Sequence, residues 1–98
     1  MIRVNDDWVI MVDPLNYMPA KDLHRKKQVK QKDGTYTTEP DYKTGYGYYT
    51  SLKDAVRAIA RVEYKNALTG QETALNEAIK LMDETMKRFE KILEGIRE

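Results

Sequence analysis

The chain has 98 residues, 17 Lys and Arg against 16 Asp and Glu, and a formal net charge of +1. That length suits one small domain, which buries only about two-thirds of its unfolded surface and is modestly stable unless it self-associates. The absence of cysteine excludes disulfides, thiolate metal sites and cysteine nucleophiles, in keeping with the cytosol, whereas near-neutral charge excludes neither nucleic acid nor protein partners.

The opening MIRVNDDWVI carries acids where a signal peptide needs a basic stretch. No apolar run approaches the ~18 residues of a membrane span. A soluble, cytoplasmic chain with no membrane contact is expected. Ile2-Arg3-Val4, then Asn5-Asp6-Asp7, then Trp8-Val9-Ile10-Met11-Val12 reads as a short hairpin with a tight polar turn. Its second strand is apolar on both faces, which predicts a central strand covered on one side by helix. Asp13-Pro14 ends it, since proline has no N–H for a ladder, and residues 15–19 form an irregular apolar corner. Residues 22–32, DLHRKKQVKQK, suit an amphipathic, largely basic strand. Lys32-Asp33-Gly34 is a turn signal, with glycine supplying a positive φ. Thr35–Thr38 returns as a strand, and Glu39-Pro40-Asp41 is expected to break it. Residues 43–50 are expected to resume as a strand, glycines on one face and Tyr46 and Tyr48 on the other.

Ser51 opens the first helix, over residues 51–68, with Ser51-x-x-Asp54 resembling a capping box. Leu52, Ala55, Val56, Ile59 and Val62 form its apolar stripe. Thr69-Gly70 stops it, and Thr69-x-x-Glu72 is a possible cap for a second helix over 70–97. There Leu75, Ile79, Met82, Met86, Phe89, Leu93 and Ile96 are spaced 4, 3, 4, 3, 4, 3, a heptad seam. A small sheet and one short helix do not easily cover so long a seam, and an exposed apolar patch marks an interface. The seam therefore predicts either a homodimer or larger oligomer or an intramolecular core. The whole reads as a single α+β domain: a small antiparallel sheet of three to five strands, then two α-helices.

Candidates for chemistry are few. Residues 21–32 hold Lys21, Arg25, Lys26, Lys27, Lys30 and Lys32 against Asp22, a local excess of five positive charges. Such a cluster suits phosphate contacts, and Tyr36, Tyr42, Tyr46 and Tyr48 offer rings for stacking. The same lysines also suit a solvated edge strand, where they block sheet-to-sheet aggregation. His24, the only histidine, cannot build a histidine metal site alone and reads as an exposed polar residue on a basic strand. Asp6, Asp7 and Asp13 sit at turns, where aspartate is favoured for backbone bonds. No P-loop, GxGxxG or GxSxG is present. The expectation is a non-enzymatic protein with neither metal nor cofactor.

Two resemblances follow from these motifs. Asp13-Pro14-Leu15-Asn16-Tyr17 after a tryptophan strand, a Lys-rich stretch with Lys32-Asp33-Gly34, and Gly47-Tyr48-Tyr49-Thr50-Ser51-Leu52-Lys53-Asp54-Ala55 entering a helix resemble small phage and prophage proteins of Gram-positive bacteria. That family carries no assigned activity. The likeness implies an accessory protein in the host cytoplasm that binds a host or defence component. Residues 8–62 are similar, more weakly, to the three-stranded DNA-binding domain of phage integrase arms and ethylene-response factors, which implies a sheet in the major groove. Three functions therefore stand as expectations. First is a binding protein that occludes a partner, as in host takeover or anti-defence. Second is a nucleic-acid-binding module using the basic hairpin. Third is an oligomer that sequesters a small molecule or nucleotide.

Overall fold

Side-chain acceptors shape the first corners of the chain. In the computed structural model, which describes residues 1–95, β1 (Ile2–Arg3) and β2 (Trp8–Val12) form a hairpin. The Asn5 side-chain oxygen accepts the N–H groups of Asp7 and Trp8, each at 2.9 Å, and so holds the turn. Asp13 repeats the device, taking the N–H of Leu15 at 2.8 Å and of Asn16 at 2.7 Å. β3 (Tyr17–Lys30) and β4 (Tyr36–Lys43) complete a four-stranded antiparallel sheet in the order β1-β2-β3-β4. α1 (Leu52–Leu68) and α2 (Leu75–Glu94) follow. The α+β arrangement expected from the sequence is present, with β2 in the interior of the sheet.

Several boundaries move, each for a physical reason. The corner before β3 is shorter than residues 15–19, because Tyr17 and Met18 already pair with Val12 and Met11. β4 runs through Pro40, which an edge strand tolerates. Residues 44–50 do not form a strand. Gly45 and Gly47 have φ of +96° and +105°, outside the extended region. An isolated bridge ties this loop to the sheet, with Tyr17 N–H on the Tyr49 carbonyl at 2.7 Å and the reverse bond at 2.9 Å. Gly47 also sits so close to the Tyr49 ring that a Cβ would lie 2.9 Å from its hydroxyl oxygen. α2 begins at Leu75, later than the sequence pattern predicts. Thr69 caps the end of α1, its hydroxyl donating to the Lys65 carbonyl at 2.7 Å, so it does not start α2.

Ser51 caps α1 as expected, its Oγ accepting the Asp54 N–H at 3.0 Å. Strand alternation then sends Trp8 and Ile10 to the side where the helices pack. There they are buried with Ala55, Val56, Ile59 and Ala60 of α1 and Phe89 and Leu93 of α2. Trp8 is the centre of this joint. Its indole N–H donates to Glu63 Oε1 at 2.7 Å, and Tyr46 meets its ring edge-on at 4.9 Å. Only part of the α2 seam enters the core. Phe89 and Leu93 are buried, Met82 and Met86 are half-buried, and Leu75 and Ile79 are 76% and 46% exposed. Thr85, off the seam, is buried instead, so the covered face of α2 is turned toward that side. Ile96 lies outside the described residues.

Candidate functional site

The longest departure from the core is the β3–β4 hairpin. β2 pairs with β3 only as far as Trp8↔Lys21, so beyond that point β4 is, among the described residues, the one strand in register with β3. From His24 to Pro40 every residue except Val29 is exposed. The segment offers almost nothing apolar to bury, and it projects from the sheet as a two-stranded arm. The radius of gyration is 16.2 Å and the extents are 56 × 35 × 19 Å, against about 13 Å for a compact chain of this length.

The arm turns at a five-residue loop. Asp33 accepts both the Thr35 hydroxyl at 2.6 Å and the Thr35 N–H at 3.0 Å. These bonds hold its carboxyl below the usual carboxylate range. Gly34, at φ +88°, takes the left-handed position expected of it. The pairs Lys26↔Pro40, Gln28↔Thr38 and Lys30↔Tyr36 place two lysines, a glutamine and a 62% exposed tyrosine on one ribbon face. Lys27↔Glu39 and Val29↔Thr37 form the other, where the charges balance. Arg25 is neutralised by Asp41, Nε to Oδ2 at 2.8 Å. Among the described residues Lys26, Lys27, Lys30 and Lys32 have no carboxylate within 4.0 Å. The basic residues expected from the sequence are thus brought together on the arm, with Arg25 at its root.

The tyrosines are not. Tyr36 stands near the tip of the arm. Tyr42, opposite Asp22, lines a shallow groove of about 440 Å³ with Met1, Met11, Pro40 and Thr44 and with Lys27 and Glu39 of the arm. Tyr46 packs on Trp8 in the core, with the Lys43 ammonium 5.8 Å from its ring. One continuous stacking platform of Tyr36, Tyr42 and Tyr46 therefore does not form. Among the described seam residues, Leu75 and Ile79 are exposed and Met82 and Met86 half-buried, while Phe89 and Leu93 are closed by α1 and the sheet.

A polar cluster stands at the root of the arm. His24 Nε2 meets Asp7 Oδ1 at 2.9 Å, and its backbone N–H donates to Asp22 Oδ1 at 2.9 Å. Asp22 Oδ2 accepts from Arg3 at 3.0 Å. The hydrogen bond to Asp7 raises the His24 imidazole above its ordinary value, with the Asp22 charge assisting. The His24 N–H and then Arg3 lower the Asp22 carboxyl. Asp7 thus has a role besides the turn, and His24 is more than an exposed polar residue. The 17-residue separation hid this pair, and the sequence carried no signal for it. Among the described residues no group of three His, Cys, Asp or Glu is placed to hold a metal ion. Nor is any helix there long and apolar enough to cross a membrane.

Comparison of the chain with protein-family models, curated proteins and solved structures finds no match.

Proposed function

We propose that the chain is a non-enzymatic, phage-type accessory binding protein whose projecting arm docks on an anionic surface of a partner and occludes it. One observation carries this reading: among the described residues Lys26, Lys30 and Lys32 stand on the arm and its turn with neither a carboxylate within 4.0 Å nor one in the facing register position, on a ribbon that buries almost nothing of its own. An extended ribbon of this kind contributes little to the core, and its unneutralised charges speed and orient encounter with an oppositely charged surface. A host or defence component is the class of partner that the phage resemblance suggests, and the occlusion would serve host takeover or anti-defence.

A second reading, a nucleic-acid-binding module, is favoured by the single face shared by Lys26, Gln28, Lys30 and Tyr36. A two-stranded ribbon fits the major groove, lysines suit phosphates, and an exposed ring can stack on an unpaired base. Tagged wild type and the Lys26→Glu/Lys30→Glu double variant, incubated with bacterial host lysate and read by mass spectrometry, test both. The first reading expects a protein that wild type captures and the variant loses, with capture surviving nuclease. The second expects captured nucleic acid and a steep fall of affinity for purified strands as salt rises. Equal capture by wild type and variant overturns the arm as the recognition element.

A further inference from the structure

The arm joins the sheet at an irregular point. Asp22 pairs with Tyr42 and Lys26 with Pro40, so Leu23, His24 and Arg25 stand opposite Asp41 alone. This bulge interrupts the ladder where β3 has already left β2. A bulge bends a strand and increases its local twist, so the direction of the arm is set here. His24 lies in the bulge at φ +55°. For a residue with a Cβ that conformation costs about 1–2 kcal/mol and persists where surrounding contacts impose it.

Those contacts are four polar groups on three elements. Asp22 on β3 accepts the His24 N–H. Asp7, in the turn between β1 and β2, holds the His24 ring. Arg3 on β1 takes the far oxygen of Asp22 at 3.0 Å and also donates to the Asn5 and Asp6 carbonyls at 3.1 and 3.3 Å. Asp22 N–H meets the Asp7 carbonyl at 2.8 Å. The root of the arm is therefore tied to the first turn of the chain, and His24 is the member that reaches from the bulge to that turn.

We propose that Arg3, Asp7, Asp22 and His24 form a proton-operated clamp that sets the pose of the arm. The proposal rests on the reading of the arm as the recognition element and names its regulation. When protonated, the imidazolium bridges two carboxylates: Nε2 faces Asp7 at 2.9 Å and Nδ1 faces Asp22 at 3.9 Å. On loss of the proton, Nε2–H can still donate to Asp7, but the Nδ1 lone pair then faces the Asp22 carboxylate. One attraction becomes a repulsion, and the hold on the left-handed bulge weakens. Arg3 holds the other oxygen of the same carboxylate at 3.0 Å and keeps Asp22 in place. The Arg25–Asp41 pair, at 2.8 Å, keeps the two strands together, so the arm swings as a unit.

The sign follows from the direction of the shift. A histidine whose value is raised in the folded chain contributes its hold below the ordinary histidine value. It loses that hold as pH rises through the raised one. The clamp is closed in mildly acidic conditions and opens on the alkaline side of the ordinary titration.

Backbone-amide NMR of the full chain from about pH 5 to about pH 8, without any partner, tests this. The expected result is a His24 ring midpoint above the ordinary histidine value. Amides from Arg25 to Tyr36 should shift, and gain mobility, with that same midpoint. Asp7→Asn should return the midpoint toward the ordinary value. His24→Asn, which tolerates the left-handed backbone, should abolish the pH response of the arm while leaving the core amides in place. Arm amides that ignore the His24 titration, or that still follow pH in His24→Asn, overturn the clamp. Failure of the lysate capture leaves this result standing, and failure here leaves the capture standing.

Discussion

Trp8 shows how one side chain can tie a small α+β chain together. Its ring is fully buried, yet its N–H finds a carboxylate 55 residues away on α1. A buried indole donor needs such a partner. Trp8→Phe keeps most of the apolar contact but leaves Glu63 without its donor. It should cost about 1–3 kcal/mol, read as a fall in the urea midpoint. Glu63→Gln can still accept the bond and should cost less than Trp8→Phe. Residue identities foretold part of this. The burial of Trp8 was legible in a strand apolar on both faces, and the cap at Ser51 in its spacing to Asp54. Glu63 was not legible, because nothing local to an exposed-type residue in mid-helix marks a contact with a distant strand. The His24–Asp7 pair escaped notice for the same reason.

At the scale of elements, a local pattern determines the structure where one interaction controls it and fails to where two compete. Residues 44–50 have tyrosines that favour a strand, but two glycines at positive φ took the backbone elsewhere. Thr69 could have capped either helix, and it closed α1. The 4-3 spacing identified α2 correctly as an amphipathic helix. It did not reveal that packing would favour Thr85 and leave Leu75 outside, since that choice depends on where α1 lies. The arm was legible in a negative sense: a run from His24 to Pro40 whose one branched aliphatic residue is Val29 has no face to bury. A two-stranded ribbon with no third strand is marginal in water. Hydrogen exchange should therefore find the amides of residues 26–38 protected far less than those of Val9 and Ile10, by two orders of magnitude or more if the arm opens independently of the core. Equal protection would mean that the arm shares the stability of the sheet.

The whole molecule is long for its mass, with a basic arm projecting from the sheet and an incompletely covered helical hairpin. Self-association, expected from the seam, is left to the exposed residues Leu75 and Ile79. Sedimentation should settle its extent. If these residues form an interface, wild type sediments as a dimer or larger and Leu75→Glu/Ile79→Glu as a folded monomer, because neither side chain belongs to the core. Phe89→Ala, by contrast, should unfold rather than dissociate the protein, since removing a buried phenylalanine costs about 3–5 kcal/mol. Such a loss is a large share of the stability available to a chain of this size. The buried joint at Trp8 has one more consequence. It is the only tryptophan in the chain, so the long-wavelength fluorescence of the protein originates in the sheet-to-helix seam and nowhere else. Parting of the helices from the sheet therefore turns that emission red, whereas Lys26, Lys30 and Tyr36, farther along the arm than the Trp8↔Lys21 pair, lie beyond direct contact with the ring.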